Sequence, residues 1–368
     1  MAKNLVIVES PAKAHTIEKY LGPDFQVLAS VGHIRKDTKV DKNTFDVTYE
    51  IDPGHKKIIS ELKKAAKAAD TIWLATDEDR EGEAISWHLL EVLKLPQDTK
   101  RITFHEITKS ALEDAIKHPR TVDMDMVASQ QARQTLDMLV GFDLSGVVRR
   151  KVPGAISAGR VQSPALRLIV EREQEIADFQ NSFKFKVSGL FQAPNRDELT
   201  ATLDHTFPTL DDAKSYLTQL IPSTYTVSDR QTAPGSRRPA PPFTTASLQI
   251  EANSRLGFST RTTMNAAQAL YQAGLITYHR TDSFNLSKQA IAAIAHCVTT
   301  EYGEKYLKVR RFTTKSATAQ EAHEAIRPTQ IERVTAGKND YERKLYHLIR
   351  QRTLAPQMAD AITEKTTI

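Results

Sequence analysis

The sequence predicts a multidomain α/β plus α protein. Three patterns along the chain support this prediction. Between residues 4 and 118, short β-rich runs alternate with amphipathic helical runs, a pattern that indicates a mainly parallel sheet. Residues 182–231 carry the polar and apolar alternation of antiparallel strands. The stretches 122–179 and 244–353 have helical periodicity. We therefore expect an α/β domain, a helical domain, a β-rich segment and a second helical domain.

The composition is that of an ordinary globular protein. At 368 residues the chain has room for two or three domains, and 40% apolar with 26% charged residues excludes collagen-like and disordered proteins. The net charge of +5 is a mild bias toward polyanions. A single cysteine, Cys297, excludes an internal disulfide and a cysteine-based zinc site. The first apolar run is five residues long and ends at Glu9, so we expect a cytoplasmic chain without a membrane span.

The first domain is expected over residues 1–121. Ser10 suits a helix N-cap, Pro11 the first helical position and Gly22 a C-cap. Residues 36–54 break the alternation and predict a long excursion between two parts of the domain. The predicted strands are NLVIV, FQVLASV, TIWLAT and RITF, and the predicted helices are 10–21, 55–68, 80–93 and 110–118.

Four further segments follow. Residues 122–181 are predicted to be helical around the turn VPGAISAGRVQSP. Residues 182–237 are predicted to form strands FKFKVSGLFQ, ELTATLD and TYTVSDR around a helix at 210–221. PGSRRPAPP at 234–242 predicts a stiff boundary, and 356–368 resumes strand-like character. The domain 238–355 is predicted to contain helices at about 244–256, 260–273, 287–301 and 340–353.

An acidic cluster follows one predicted strand. Asp77, Asp79 and Glu81 lie between TIWLAT and a helix, and Glu9 holds the equivalent place after the first strand. Ligands of open α/β sheets bind at the carboxyl ends of the strands. Neighbouring strands would bring four carboxylates together there, and a hard cation such as Mg²⁺ would relieve their mutual repulsion. Lys13, one helical turn after Glu9, would be useful at a phosphate. The alternative is a solvated helix N-terminus, where the helix dipole favours acidic residues.

A tyrosine in the second helical domain is a candidate nucleophile. Tyr278 precedes Arg280 by two residues in AGLITYHRTDS. A phenol, with a pKa of about 10, needs nearby positive charge and a proton acceptor before it can attack. Arg280 could supply the charge and hold a phosphate oxygen. The alternative is a structural tyrosine with its ring in the core and its hydroxyl at the surface.

Several segments together resemble one family. VIVESPAKAHTIEKYLG, SVGHIR and LATDEDREGEAISWHL are similar to the Toprim domain shared by topoisomerases, primases and some nucleases, and specifically to the bacterial DNA topoisomerase I family of type IA enzymes. GLITYHRTDS resembles that family's active-site segment, and QEAHEAIRPT its histidine motif. QQARQTLDMLVGF and SAGRVQSPALRLIVEREQEI resemble its single-strand groove. The likeness runs from residue 3 to about 360.

The resemblance implies an architecture and a set of roles. The architecture is a Toprim-type α/β domain, a helical DNA-groove domain, a β-rich arch and a helical tyrosine domain. Tyr278 would be the nucleophile, Arg280 and His323 would contact the scissile phosphate, and Glu9 would exchange a proton with the leaving oxygen while Lys13 fixes the phosphate. The implied Mg²⁺ ligands are Glu9, Asp77, Asp79 and Glu81. The implied DNA contacts are His33, Arg133, Asp137, Arg160, Gln162, Ser163, Gln268, Thr277, Asp282 and Ser283.

The groove residues also admit simpler interpretations. Arg133 and Asp137, four apart, could form an ion pair along one helix. Residues 160–163 lie at a turn into a helix, a natural place for donors that bind phosphate. Two positions depart from the family: Gln134, where a second arginine is common, and Gln272, where a glutamate is common. These departures could weaken the groove and alter proton handling around the tyrosine.

The implied activity is ATP-independent cleavage and religation of one DNA strand through a 5′-phosphotyrosyl link, which relaxes negatively supercoiled DNA. A monomeric, nucleoid-associated, cytoplasmic protein is expected, and no P-loop sequence occurs. One alternative is a chain that binds and cleaves single-stranded DNA without strand passage. Another is a Toprim nuclease or primase, which has no use for GLITYHRTDS. In a third, all the motifs are structural.

The length bears on these alternatives. In the family the chain returns through the arch, whereas this chain ends at Ile368 as that return begins. The family's cysteine-rich tail is also absent from the sequence. We expect PQMADAITEKTTI to be an unpartnered first strand of the return, and the arch and groove segments to leave apolar faces uncovered. Uniform resistance to proteolysis between about 122 and 231 would argue against this.

Overall fold

A computed structural model describes residues 3–312 and 324–368. The amino-terminal part is a parallel sheet with helices packed on it, as the alternation predicts. Its strands are β1 (Asn4–Val8), β2 (Phe25–Ala29), β3 (Arg35–Val40), β4 (Val47–Ile51), β5 (Thr71–Leu74) and β6 (Lys100–Arg101). Its helices are α1 (Pro11–Leu21), α2 (Lys56–Ala68), α3 (Arg80–Leu93) and α4 (Lys109–Lys117).

The sheet has the order β2-β1-β5-β6, and all neighbouring strands run parallel. The chain leaves β1 toward β2 on one side and later places β5 on the other side of β1. This reversal creates a crevice at the carboxyl ends of β1 and β5, the usual ligand position in such sheets. The predicted excursion at 36–54 contains most of an antiparallel hairpin, β3 and β4.

The first helix begins and ends where the sequence predicts. The Ser10 hydroxyl accepts a hydrogen bond from the Lys13 amide (3.4 Å), and Pro11 occupies the first helical position. Gly22 ends the helix with φ +80°, a conformation that residues with a side chain rarely adopt. These local signals fix α1 directly after β1, and thus place its first turn beside the crevice.

The next segment is helical but loosely packed. It comprises α5 (Met124–Leu139), a π-helical turn (Val140–Leu144), α6 (Ser145–Lys151) and α7 (Gln162–Ala177). Helix α5 is capped by Asp123, whose carboxylate accepts hydrogen bonds from two amides of the first turn, and the helix packs against α3. None of the residues of α7 is buried against the described part of the chain; Leu168, for example, is 68% exposed. The groove segment therefore does leave an apolar face uncovered.

The β-rich segment differs from the prediction. It contains the hairpin β7 (Phe185–Gln192) and β8 (Glu198–Phe207), then α8 (Leu210–Leu220) and β9 (Gln231–Arg237). The expected strand TYTVSDR at 224–230 is wrong, because these residues have no regular structure and no strand pairs with them in the described chain. Alternation alone cannot supply a pairing partner, and an unpaired strand is unstable.

The second helical domain agrees closely with its predicted helices. It contains α9 (Thr245–Leu256), α10 (Thr260–Gln272), α11 (Lys288–Tyr302) and α12 (Asp340–Leu354), followed by β10 (Ala361–Thr367). Each helix has a side-chain N-cap that accepts from a first-turn amide; the caps are Thr244, Ser259, Ser287 and Asn339. Polar caps before apolar periodic runs are reliable signals, which is why these boundaries were predictable.

The carboxyl-terminal strand is paired, which corrects the expectation that PQMADAITEKTTI is unpartnered. Strand β10 pairs antiparallel with β9 over seven residues, from Ala361 opposite Arg237 to Thr367 opposite Gln231. Part of the predicted boundary PGSRRPAPP is consequently strand. A two-stranded ribbon leaves one edge of each strand open, and such edges tolerate a proline like Pro234. All residues of both strands are exposed.

One continuous core joins the sheet to the second helical domain. It contains Val6 and Ile17 from the first domain, Leu270 and Tyr346 from the second, and Phe104 from the segment between β6 and α4. A separate core fills the opposite face of the sheet beneath α2 and α3. The two domains therefore pack directly against each other at the crevice. No described helix is long and apolar enough to cross a membrane.

Candidate active site

Two carboxylates meet at the crevice between β1 and β5. Glu9 follows β1 directly, and Asp77 lies three residues after the end of β5. The Asp77 amide donates to the Glu9 carboxylate (2.9 Å between Asp77 N and Glu9 Oε2). The expected convergence of these two acidic residues is therefore present in the structure.

A buried lysine bridges the two carboxylates. The Lys13 ammonium group donates to Oε1 of Glu9 and to Oδ1 of Asp77, and its side chain is fully buried. Burial, followed by the charge of Asp77, raises the pKa of Glu9 to about 7. For Asp77, burial acts toward a higher pKa, but the Lys13 charge and several hydrogen bonds outweigh it and lower the pKa to about 2. At neutral pH Asp77 is ionised, while Glu9 can exchange a proton.

The acidic loop is held by the start of α3. Asp79 is the N-cap of this helix and accepts from the Gly82 amide (2.8 Å). The Thr76 hydroxyl donates to the Gly82 carbonyl oxygen (2.6 Å). A Cβ atom at Gly82 would lie 1.9 Å from the carbonyl oxygen of Asp77. Only glycine fits between the helix and the loop at this position.

A buried ion pair supports the same loop from behind. The Arg101 guanidinium donates to the carbonyl oxygens of Thr76 (2.9 Å) and Asp77 (2.7 Å). Its charge is balanced by Glu83 (2.9 Å between Arg101 Nη2 and Glu83 Oε1), and both side chains are fully buried. Arg120 also contacts Glu83 (2.6 Å). Sequence reasoning missed this pair, although a basic residue at the start of the apolar run RITF was a signal.

Tyr278 lies against this loop from the second helical domain. Its hydroxyl donates to Oδ2 of Asp79, its amide donates to the His105 carbonyl oxygen (2.8 Å), and its side chain is 3% exposed. Gly274, with φ +70°, lets the preceding turn approach the first domain, since a Cβ there would lie 2.6 Å from the Ile107 carbonyl oxygen. The candidate nucleophile is thus buried at the interface between two domains.

The electrostatics of Tyr278 differ from the expectation. Burial, followed by the charges of Asp77 and Asp79, raises the pKa of the phenol far above its ordinary value. Arg280 acts in the expected direction, toward a lower pKa, but it is the smallest of these contributions. An exposed arginine is screened by water, whereas the two carboxylates are close and partly buried. Tyr278 is therefore neutral in this arrangement.

A cavity opens beside the tyrosine and continues into a groove. One cavity of about 550 Å³ and a second of about 720 Å³ share Glu81, Gln130 and Arg133 in their walls. The first also contains Asp79 and Arg280, and the second extends along α5. A polymer lying in this groove would pass the site at which Tyr278 meets Asp79.

Comparison with known proteins assigns the family. The family model for DNA topoisomerase matches residues 121–368, and the Toprim domain model matches residues 4–107. The chain belongs to the type IA DNA topoisomerase family. It is 47% identical to DNA topoisomerase 1 of Zymomonas mobilis over 99% of this chain and 32% of that protein. It is 45% identical to that of Xylella fastidiosa over all of this chain and 50% of that protein.

A solved structure of topoisomerase I from Thermotoga maritima is also similar. It has a TM-score of 0.85 and 37% identity, and the match covers 98% of this chain and 62% of that one. The chain spans between about a third and somewhat over half of the length of the curated relatives named here, which include DNA topoisomerase 1 of Campylobacter jejuni at 56% coverage. The likeness therefore extends over this whole chain and over part of each relative.

Not all four predicted metal ligands of this topoisomerase-family chain converge. Glu81 points away from Glu9 and Asp77 and contacts His33 (3.1 Å) and Gln130 (3.4 Å) instead. Asp79 and Glu81 belong to the helix start, where successive side chains rotate by about 100° and cannot share one direction. In the described ranges, no three acidic, histidine or cysteine side chains are close enough together to hold a metal ion. In this arrangement the four carboxylates of the described chain do not surround one point.

The three remaining carboxylates nevertheless have the chemistry that Mg²⁺ prefers. Toprim domains generally bind Mg²⁺, and Glu9, Asp77 and Asp79 offer only oxygen donors. Their oxygens accept hydrogen bonds from Lys13 and from two tyrosine hydroxyls. A cation would replace these donors, so the residues fit the ion only after Lys13 or the tyrosines withdraw.

The predicted groove residues Arg133, Asp137 and Arg160 lie on α5 and on the turn before α7. The ion-pair partner of Asp137 differs from the one considered from the sequence. Asp137 pairs with Arg160 (2.5 Å from Oδ1 to Nε and 3.0 Å from Oδ2 to Nη2), which joins α5 to the turn before α7. The alternative pairing of Asp137 with Arg133 is not the one found. Arg133 is exposed in the wall of both cavities. Of the family departures, Gln134 donates to Asp37 (2.8 Å), a contact that an arginine could also make.

The other predicted DNA contacts differ in accessibility. Thr277 and Ser283 are buried, and the Thr277 hydroxyl donates to the Ala325 carbonyl oxygen (2.8 Å). Asp282 is exposed in the cavity wall, Gln268 is half-buried on α10, and the Ser163 hydroxyl accepts from the Gly159 amide (3.1 Å). Gln162 donates to Ser157 (3.1 Å). His323 lies outside the described residues.

Proposed function

We propose that this chain performs the cleavage and religation chemistry of an ATP-independent DNA topoisomerase that relaxes negatively supercoiled DNA. The observation that carries the proposal is the hydrogen bond from the Tyr278 hydroxyl to Asp79, across a domain interface and beside Glu9 and Lys13. This contact supports the proposal because a phenol, a carboxylate that accepts its hydrogen bond and a second titratable carboxyl group lie close together. Membership of the type IA family supports the same chemistry.

The proposed reaction is a transesterification. Oη of Tyr278 attacks a backbone phosphorus of single-stranded DNA, and a phosphotyrosyl bond forms as the bond from phosphorus to the 3′-oxygen breaks. The phenolic proton passes to Asp79, which already accepts it as a hydrogen bond. Glu9, with a pKa near 7, gives a proton to the leaving 3′-oxygen. The reverse sequence religates the strand, and no ATP is consumed because the phosphodiester energy is retained.

The charges needed at the phosphate come from several residues. Arg280 would hold a nonbridging oxygen through its planar guanidinium, and His323 would contact the same phosphate. Lys13 would turn from the carboxylates to the phosphate. Glu9, Asp77 and Asp79 would hold Mg²⁺ in their ionised forms, and the ion would offset the charge on the DNA. The phosphate charge would then be balanced where the phenol must ionise.

The groove residues would bind the strand on both sides of the cut. Arg133 and Arg160 would contact phosphates, while polar side chains near them fix the strand's direction. The divisions 1–121, 122–181, 182–237, 238–355 and 356–368 would act as Toprim, groove, arch, tyrosine and returning arch segments. We further propose a monomer that acts on DNA in the cytoplasm, at the nucleoid.

A second function is a cleaving chain without strand passage. It is favoured by one observation, the continuous core that closes the interface between the two domains beside the site. Passage requires the domain interface to open while both DNA ends stay bound. Relaxation of supercoiled plasmid would support the full reaction, whereas adduct formation without relaxation would support the second function.

The direction of the covalent link tests the proposed chemistry. We expect the wild-type chain to form a denaturant-stable adduct with a single-stranded oligonucleotide that carries a label at its 3′ end. The same oligonucleotide labelled at its 5′ end should instead release a shorter labelled strand with a free 3′-hydroxyl. A fully double-stranded version serves as the control and should give less adduct. A 5′ label in the protein band, or no adduct at all, would refute the proposal.

A further inference from the structure

Tyr271 on α10 is a buried tyrosine that contacts the acidic crevice from the opposite domain. It is 1% exposed, and its hydroxyl donates to Oδ1 of Asp77 (2.9 Å). The same oxygen accepts from Lys13. A tyrosine from the second helical domain thus shares one carboxylate oxygen with the central lysine of the first domain.

The ring of Tyr271 contacts two further members of the site. The Lys13 ammonium group lies 4.9 Å from the ring centroid, within the range of a cation–π interaction. The ring packs edge-to-face against that of Tyr278, with centroids 5.2 Å apart. One side chain therefore touches the carboxylate, the lysine and the candidate nucleophile.

Tyr346, a structural tyrosine in the same domain, donates to different partners from those of Tyr271. Tyr346 on α12 is equally buried, but its hydroxyl donates to two backbone carbonyl oxygens, those of Gln330 (3.1 Å) and Arg333 (3.0 Å). That hydroxyl fastens a loop to a helix within one domain. The Tyr271 hydroxyl instead reaches an ionised side chain in the other domain.

We propose that Tyr271 is a positioning residue for DNA cleavage, which fixes the Asp77 carboxylate and the ring of Tyr278 relative to one another. The inference rests on the proposed function. Tyr271 acts through Asp77 and Tyr278, so its effect is on the rate of the chemical step and not on the binding of DNA. A hydrogen bond to a charged group is worth about a 10- to 100-fold change in such a rate.

The test compares Tyr271→Phe with the matched control Tyr346→Phe. Both remove one buried hydroxyl from the second helical domain. The rate of adduct formation is measured against the concentration of a single-stranded oligonucleotide, together with thermal unfolding of each variant. We expect Tyr271→Phe to lower the maximal rate about 10- to 100-fold without changing the half-saturating oligonucleotide concentration. Tyr346→Phe should keep the wild-type maximal rate, even with a similar loss of thermal stability.

Three results would overturn the inference: an unchanged maximal rate in Tyr271→Phe, a raised half-saturating concentration, or an equal loss of rate in Tyr346→Phe. The proposed function fails separately. If the wild-type chain forms no adduct, the proposed chemistry is wrong. If the wild-type chain forms an adduct and Tyr271→Phe forms it at the same rate, only the role of Tyr271 is wrong.

Discussion

Tyr278→Phe is expected to abolish the covalent adduct while the protein stays folded. The substitution removes only the attacking oxygen, and within the described residues the hydroxyl that donates to Asp79 is that of Tyr278. The buried ring and its contact with Tyr271 remain. Loss of one hydrogen bond should cost about 1–2 kcal/mol of unfolding free energy. Adduct yield on a denaturing gel and thermal unfolding of the same sample measure both effects.

The matched control is Tyr302→Phe. Tyr302 ends α11 in the same domain and is 46% exposed, so its hydroxyl should matter neither to stability nor to cleavage. We expect wild-type adduct from this variant. Oligonucleotide binding, followed by fluorescence anisotropy, should be retained in both variants because Tyr278 is buried. Adduct at the wild-type yield from Tyr278→Phe would show that another residue is the nucleophile.

Gly82→Ala is expected to have the second-largest effect, on both stability and cleavage. The added Cβ would lie 1.9 Å from the Asp77 carbonyl oxygen, and Arg101 holds that oxygen in place (2.7 Å). Either α3 or the acidic loop must move. Overpacking of this kind costs about 1–3 kcal/mol, and a shift of about 1 Å at reacting groups can reduce a rate about 100-fold. Urea unfolding measures the loss of stability, and the kinetics of adduct formation measure the loss of cleavage rate.

Gly146→Ala provides the control for this prediction. Gly146 lies within α6, and an added Cβ there would meet no atom within 4 Å. Alanine is the better helix former by about 1 kcal/mol, so this variant should be as stable as the wild type or slightly more stable. Equal stability and equal cleavage in the Gly82→Ala and Gly146→Ala variants would contradict the close-packed loop described for the site.

The fold was predictable wherever local signals determine it. Ser10 and Gly22 delimit α1, and the four capped helices of the second helical domain lie close to their predicted positions. Strand pairing was less predictable, because it depends on distant residues. The pairing of β9 with β10 joins Gln231 to Thr367, and nothing near either residue specifies the partner. The alternating segment at 224–230 has the composition of a strand without a partner.

The part of the site formed at the ends of the strands was predictable, and the contacts between the two domains were not. Glu9 and Asp77 meet because parallel strands bring their carboxyl ends to one edge. The contact of Tyr278 with Asp79 joins residues 199 positions apart, and only the packed core between the domains creates it. The sequence also did not indicate which charged groups control the pKa of the Tyr278 phenol. Arg280 is near Tyr278 in sequence, but burial and two carboxylates have the larger effect on the pKa of the phenol.

Tyr278 is the residue that we propose becomes covalently linked to DNA. The most direct measurement is mass spectrometry of a proteolytic digest of the trapped adduct, after the bound oligonucleotide is trimmed to a single nucleotide. We expect the nucleotide mass to be attached to Tyr278, in the peptide that contains GLITYHR. Attachment to any other residue, Tyr271 included, would show that Tyr278 is not the nucleophile.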